Sequence, residues 1–268
     1  EAGIKAKIEA KGTALKDWDI KINYGIKTGY NEAFIIDGEK KKQLIEADPK
    51  SAEIIKPILR GRDIKRYKAE FADLWLINSH NGYKKNDGTK VERIDINNYP
   101  AVKTHLDNYI NALQKRQDKG ETPYNLRNCA YVDEFEKEKI IYPETTQNNS
   151  FVYDKGMYYI DKTGFILISK HSKYLLSILN SKLFGKIYRK YYSSIELGAT
   201  GYQFNKFAFE KFPIPRIDNQ EPFIKLVDII LAKKENGENT DAEEKQIDMM
   251  VYNLYGLSEE EIEIIEGQ

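Results

Sequence analysis

Cysteine is nearly absent. Cys129 stands alone in 268 residues, which excludes a disulfide framework and makes a reducing, cytoplasmic setting the expectation. Histidine is scarce as well: His80, His105 and His171 lie far apart without cysteine partners, so no zinc-ligand spacing is present. No stretch approaches the roughly 18 apolar residues that a bilayer span needs, and the opening EAGIKAKIEA lacks the apolar centre of a signal peptide. The marks of catalysis are missing too. There is no G-x-G-x-x-G or Walker loop, no Asn/Asp-Pro-Pro-aromatic tetrapeptide of the kind that grips a flipped base, and no histidine with a recognisable Ser or Cys partner. Acid-x-Lys triplets, as in nuclease cores, occur at Asp63-Ile-Lys65, Glu39-Lys-Lys41 and Glu243-Glu-Lys245, but in a chain that is 31% charged they are expected by chance.

One sign of charge is missing over a long stretch. Residues 162–195 contain seven Lys or Arg and no acid, although the whole chain balances at 42 of each sign. The balance hides a division: residues 217–268 hold fourteen acids against four lysines, so residues 1–216 are basic and the tail is acidic. A basic body is the electrostatic footprint of a polyanion binder. Tyrosine is abundant, 19 residues, and suits surfaces where an apolar ring meets polar groups.

The acid-free stretch organises the chain. Residues 165–168 (FILI) form a short apolar run between turn residues, which predicts a buried strand. Tyr174, Leu175, Ile178, Leu179, Leu183, Phe184 and Ile187 then recur at steps of three and four, which predicts one long helix capped by Ser172. Lys182, Lys186, Arg189 and Lys190 lie near its end, where phosphates would be met.

Before it, residues 4–15 read as a polar connecting segment, and Glu1 in first position is what a piece of a longer chain would show. Residues 17–22 and 33–36 are strand-like, and the loop between them is either an ordinary hairpin or a shaped loop presenting Lys27, Thr28, Tyr30 and Asn31 to a ligand. Residues 40–47 suit one or two helical turns. Residues 56–68 carry six basic residues and one acid, with Arg60 and Arg62 flanking Gly61; the run is either a solvated face or a binding surface. Residues 71–78 and 139–144 are strand candidates, residues 96–117 a helix behind Pro100, and residues 151–153 and 157–160 a strand pair. After the long helix, residues 193–201 form a loop with two glycines, and the acidic tail is helical, ending in a helix over 259–266 with Ser258 and Glu261 as a capping box. This order argues for an α+β fold: a mixed, strand-rich region, a long basic helix and a helical tail, divided at 1–216 and 217–268, with the tail packing on the body or on a neighbouring catalytic domain.

Five segments, in this order, resemble the target recognition domain, the TaqI-like C-terminal specificity domain, of adenine-specific DNA methyltransferases and type IIG restriction-modification enzymes. They are residues 25–37 (GIKTGYNEAFIID), 55–67 (IKPILRGRDIKRY), 126–144 with its LRNCAY and KIIYPE, 174–184 (YLLSILNSKLF) and 212–215 (FPIP). The resemblance implies a non-catalytic reader of double-stranded DNA in bacterial defence. A preceding domain of the same polypeptide would bind S-adenosylmethionine, with or without Mg2+ for cleavage, and methylate adenine N6. It raises Lys27, Thr28, Tyr30, Asn31, Arg60, Arg62, Lys65 and Arg66 to expected DNA-side residues. Lys186, Arg189 and Lys190, with Ser193, Ser194, Tyr202 and Gln203 in the loop after them, complete the expected surface. Arginine forks suit guanine, and Asn31 or Gln203 would suit adenine. Two other readings stay open: a type I specificity subunit, against which a single copy counts, and a protein-interaction module using the acidic tail.

Overall fold

The computed structural model describes residues 1–193 and 201–267. Its main strands are β1 (Ile20–Tyr24), β2 (Ile35–Asp37), β3 (Ile55–Leu59), β4 (Leu74–Ile77), β5 (Lys139–Pro143), β6 (Val152–Asp154), β7 (Tyr159–Ile160) and β8 (Gly164–Ser169). One sheet runs β6-β5-β8-β1, all antiparallel; the other runs β7-β3-β4-β2, with β7 parallel to β3. The expected α+β architecture is what the chain adopts, as two open sheets with helices around them.

The apolar run at 165–168 is the heart of β8, as its composition predicts. Phe165 and Leu167, with Ile140 and Tyr142 of β5, enter one core, while Ile166 and Ile141 enter a second. Alternate side chains point to opposite faces of a strand. This sheet is therefore covered on both faces, and β8 shows no polar alternation.

The α-helices longer than four residues are α1 (Ala2–Lys11), α2 (Gly38–Ala47), α3 (Pro100–Asp107), α4 (Ile110–Lys115), α5 (Ser172–Leu179), α6 (Lys182–Tyr191), α7 (Glu221–Glu235), α8 (Asp241–Tyr255) and α9 (Glu259–Glu266). The acidic tail packs on the basic segment: α7 lies on α5, α8 on α5 and α6, and α9 on α6. Leu226, Ile230, Val251 and Tyr252 share one core with Leu175, Leu179 and Ile187. The capping box at α9 is present: the Ser258 hydroxyl accepts from the Glu261 N–H at 3.3 Å, and the Glu261 carboxylate accepts from the Ser258 N–H at 2.8 Å. Among the described residues no helix is long and apolar enough to cross a membrane.

The structure corrects several expectations. The long basic helix is two helices, broken at Asn180 and Ser181. The Asn180 side chain accepts from the Phe151 N–H (3.1 Å) and donates to its carbonyl (2.9 Å), and Ser181 caps the second helix by accepting from the Phe184 N–H (3.2 Å). The Asp248 carboxylate takes the Lys182 N–H at 2.9 Å, so a tail residue helps start α6. The cap of α5 is His171, not Ser172, whose hydroxyl donates back to Ser169. Residues 4–15 are not a connector: Ile4 and Ile8, one turn apart, are buried against the tail helices, a stripe too short for periodicity to reveal.

The helix expected over 96–117 breaks at Tyr109, whose ring packs on Tyr30 and His105. β1 and β2 form no hairpin, because each pairs in a different sheet and the loop between them crosses from one to the other. β6 and β7 do not pair either. The Asp154 carboxylate accepts from the N–H groups of Met157 and Tyr158, the chain turns at Gly156 (φ +116°), and β7 runs beside β3.

Candidate nucleic-acid interface

Among the described residues, three elements, with Ile265 of α9 at the edge, wall an open cleft of about 830 Å3. The first is a tight hairpin in which Ile64 and Lys65 pair with Ala69 and Lys68. Its turn forces Tyr67 to φ +61°, a conformation that side-chain-bearing residues resist. Burial of the Tyr67 ring and a 3.0 Å bond from its N–H to the Phe151 carbonyl hold it there, which carries Arg66 to the cleft.

The second wall is α6, which turns Leu183, Phe184, Ile187 and Tyr188 inward and leaves Lys182, Lys186, Arg189 and Lys190 at the cleft. Phe184 sits among Phe151, Phe204 and Phe212, with ring centroids 4.7–6.1 Å apart. The third wall is a short ribbon of Thr145–Thr146 paired with Tyr202–Gln203, beyond which Gln147 and Asn148 stand exposed. Asn149 locks this ribbon to the helix, donating to the carbonyls of Leu179 (3.1 Å) and Ser181 (2.7 Å) and accepting from the Tyr202 hydroxyl (3.0 Å). Position 185 must be glycine for this, since a Cβ there would stand 2.4 Å from the Asn149 Oδ1.

The cleft cations face carboxylates from both ends of the chain. Lys182 lies 2.5 Å from Glu266, Arg66 lies 3.5 Å from Glu244, and Lys186 and Lys190 both meet Glu1. Burial works to raise the Glu266 pKa, but hydrogen bonds from Lys182 and Tyr252 outweigh it and hold the carboxyl below its ordinary value. At neutral pH the cleft is a set of partly neutralised, half-exposed cations, which suits ligands that bring several negative charges at once.

The structure thus brings together Arg66, Lys186, Arg189, Lys190, Ser193 and Tyr202 from the sequence-based set. Tyr202 is buried and offers its hydroxyl to Asn149 rather than to solvent. Gln203 sits in the ribbon one residue beyond it, and Ser194 lies outside the described residues.

The remainder are apart from the cleft and mostly engaged. Arg60 directs its fork to Asp63, at 3.0 and 2.8 Å. Arg62 and Lys65 are exposed, and among the described residues no hydrogen bond or ion pair holds Arg62. Thr28 is 1% exposed and bonded to Asn31, Lys27 is paired with Asp118 at 3.1 Å, and Tyr30 packs on Tyr109. That loop is organised by its own contacts and sits away from the cleft walls.

Sequence reasoning missed Gln147, Asn148 and Asn149. The available signal was TTQNNS, six polar, uncharged residues separated from a buried strand by Glu144 alone. Among the described residues no cluster of His, Cys, Asp or Glu is arranged to hold a metal ion.

Residues 56–214, more than half of the chain, match the family described as the TaqI-like C-terminal specificity domain. The chain belongs to that family. A curated relative of this specificity domain is the type II methyltransferase M.BstVI of Geobacillus stearothermophilus, 21% identical over 252 residues, which are 91% of this chain and 40% of the relative. Among solved structures, the domain superposes on the type IIL restriction-modification enzyme MmeI, solved in complex with DNA, with a TM-score of 0.66 and 14% identity over 92% of this chain and 34% of that one. The type IIG restriction endonuclease BpuSI gives a TM-score of 0.50 at 15% identity, over 95% of this chain and 32% of its own. The two structures speak to the fold. The chain thus spans well under half of these relatives, as a specificity domain of restriction-modification and methyltransferase enzymes.

Proposed function

We propose that this specificity domain reads duplex DNA for an adenine-specific N6 methyltransferase or type IIG restriction-modification enzyme. The methyltransferase domain lies in the same polypeptide, holds S-adenosylmethionine and carries the chemistry, while this part contributes position and sequence. The enzyme acts in the cytoplasm as part of bacterial defence. The observation that carries the reading is the cleft, where α6 and the hairpin turn set Arg66, Lys182, Lys186, Arg189 and Lys190 around one open volume.

Phosphates bind such cations and fix register without reading bases; base edges are read by side chains beside them. Membership of the specificity-domain family supports the same reading.

The test is selection of bound duplexes from a randomised pool by this chain, at low and at moderate salt. A short enriched motif containing adenine, with binding that weakens as salt rises, is the expected result. Absence of binding at low salt would overturn the proposal and favour a protein-interaction module built on the acidic tail.

A further inference from the structure

A second pocket, of about 220 Å3, lies at the end of β4 and shares no residue with the basic cleft. Asn78 follows β4 directly and is 6% exposed, with its N–H given to the Ile54 carbonyl at 2.7 Å. Its carboxamide lines the pocket, and among the described residues the buried Oδ1 has no hydrogen-bond partner. Asp133 stands half-buried at the same pocket and, among the described residues, makes no hydrogen bond or ion pair either. Tyr83, Tyr99 and Tyr159 supply aromatic walls. The remaining charged groups are engaged: the Lys56 ammonium lies 3.1 Å from Glu136, the Tyr99 hydroxyl donates to Glu53 at 2.9 Å, and Lys50 lies over the Tyr99 ring at 5.2 Å. His80 accepts from the Gly82 N–H through Nδ1 at 3.1 Å, and burial lowers its pKa, so it adds no positive charge at neutral pH.

We propose that this pocket binds an alkylammonium group, held by Asp133, Asn78 and the three tyrosine rings. Glu53, Asp133 and Glu136 face one lysine there, so a phosphate or nucleotide is repelled and DNA is not the occupant. Among the described residues no three His, Cys, Asp or Glu are placed to hold a metal ion, which leaves an organic cation. Aromatic faces attract a cation through the ring quadrupole, more strongly where water is excluded. An ammonium donates three hydrogen bonds and accepts none, so one such group serves the unpaired Asn78 oxygen and the unpaired Asp133 carboxylate together. A half-turn of the Asn78 carboxamide exchanges its oxygen and nitrogen within nearly the same outline, which turns the acceptor to the pocket. Ile54, Ile94 and Val132 give the alkyl stem an apolar side to lie against. The volume falls below the roughly 300–1,000 Å3 of sites for drug-sized ligands, which restricts the ligand to a short chain. A free diamine and a lysine side chain of a protein both present this group.

The experiment is isothermal titration calorimetry of the chain as it stands with n-butylamine, 1,4-diaminobutane and Nα-acetyl-lysine amide, and with n-butanol as the neutral counterpart. Binding of n-butylamine with a Kd of about 1 mM or tighter, and no measurable binding of n-butanol, is the expected result. Asp133→Asn removes the charge and should weaken amine binding roughly tenfold or more; Asn78→Leu removes the acceptor and should do the same. Because the Asn78 carboxamide holds nothing within the described chain, Asn78→Leu should unfold at the same urea concentration or a higher one, whereas a residue kept for structure would lose stability. Asp133→Asn, at a half-buried position, carries the test should Asn78→Leu fail to fold. Tighter binding of the diamine than of the lysine derivative would support the site and name a free amine as its ligand; the reverse order would support it and name a lysine side chain. No binding of any amine, or equal binding of n-butylamine by the unsubstituted chain and Asp133→Asn, would overturn the proposal and leave the DNA-reading role untouched.

Discussion

The Lys182 ammonium lies 2.5 Å from the Glu266 carboxylate, so the last turn of the acidic tail neutralises the first turn of the basic helix. Phosphate has to displace that carboxylate, which then takes up a counter-ion of its own. Glu266→Gln keeps an acceptor for the Tyr252 hydroxyl and removes the charge. The variant should bind duplex DNA more tightly at low salt and steepen the plot of log affinity against log salt by about 0.9. Fluorescence anisotropy across a salt series measures both; weaker binding by the variant would mean that the ion pair holds the cleft open for DNA.

Arg60 and Arg62, two residues apart, should behave differently. Asp63 is buried, and burial works to raise its pKa, but hydrogen bonds from the Arg60 side chain and backbone outweigh it and hold it low. Arg60→Ala strands that carboxylate and should cost about 1–3 kcal/mol of stability. Arg62→Ala should leave stability within about 0.5 kcal/mol and weaken any DNA contact made on that side. Urea unfolding and DNA titration of the two variants separate these effects.

Burial pushes the Asp248 pKa up to about 6, although the Lys182 N–H and nearby cations pull it down. The unfolded chain releases this proton near the ordinary value for aspartate, about 3.9. Between those two values the folded state binds the proton more tightly, so this group's contribution to stability declines as pH rises through that window and levels off above about 6. Asp248→Asn keeps an acceptor for the helix start and removes the ionisation. It should be more stable than the unsubstituted chain by about 1–2 kcal/mol at pH 7–8 and nearly equal to it at pH 4. Denaturant curves at the two pH values give the comparison; a variant less stable at pH 8 would show that the charge itself supports α6.

A second buried group sits under the sheet. The Lys139 ammonium, withdrawn from solvent, lies 2.5 Å from Asp154, which also takes two backbone N–H groups at the turn after β6. Burial pulls the lysine pKa down, and Asp154 opposes it. Lys139→Met leaves the carboxylate buried without its cation and should cost about 3–5 kcal/mol. The double variant with Asp154→Asn should recover part of that loss, which a double-mutant cycle would measure.

Local chemistry was legible in the sequence. The apolar run of β8 and the Ser258–Glu261 box need only neighbours in the chain, and both are where their residues place them. The break at Asn180 was not legible, because the groups that hold it, Phe151 and Asp248, lie 29 and 68 positions away from it. Arg60 and Thr28 look like surface ligands by type, and only the fold shows Asp63 and Asn31 consuming them. The cleft joins residues near 66, 148 and 186, a grouping no sequence window contains. Charge asymmetry indicated a basic surface and a tail packed on the body or on a neighbouring domain, but not that Glu244 and Glu266 of that tail pair with Arg66 and Lys182.

The most direct measurement is the affinity of this chain for its selected duplex and for a scrambled one of equal length, followed across salt concentration. The account predicts two steep parallel lines, with the selected duplex bound more tightly by roughly 10³-fold or more at every salt. Lines that are flat, or that coincide, would contradict a basic cleft that positions a sequence reader on DNA.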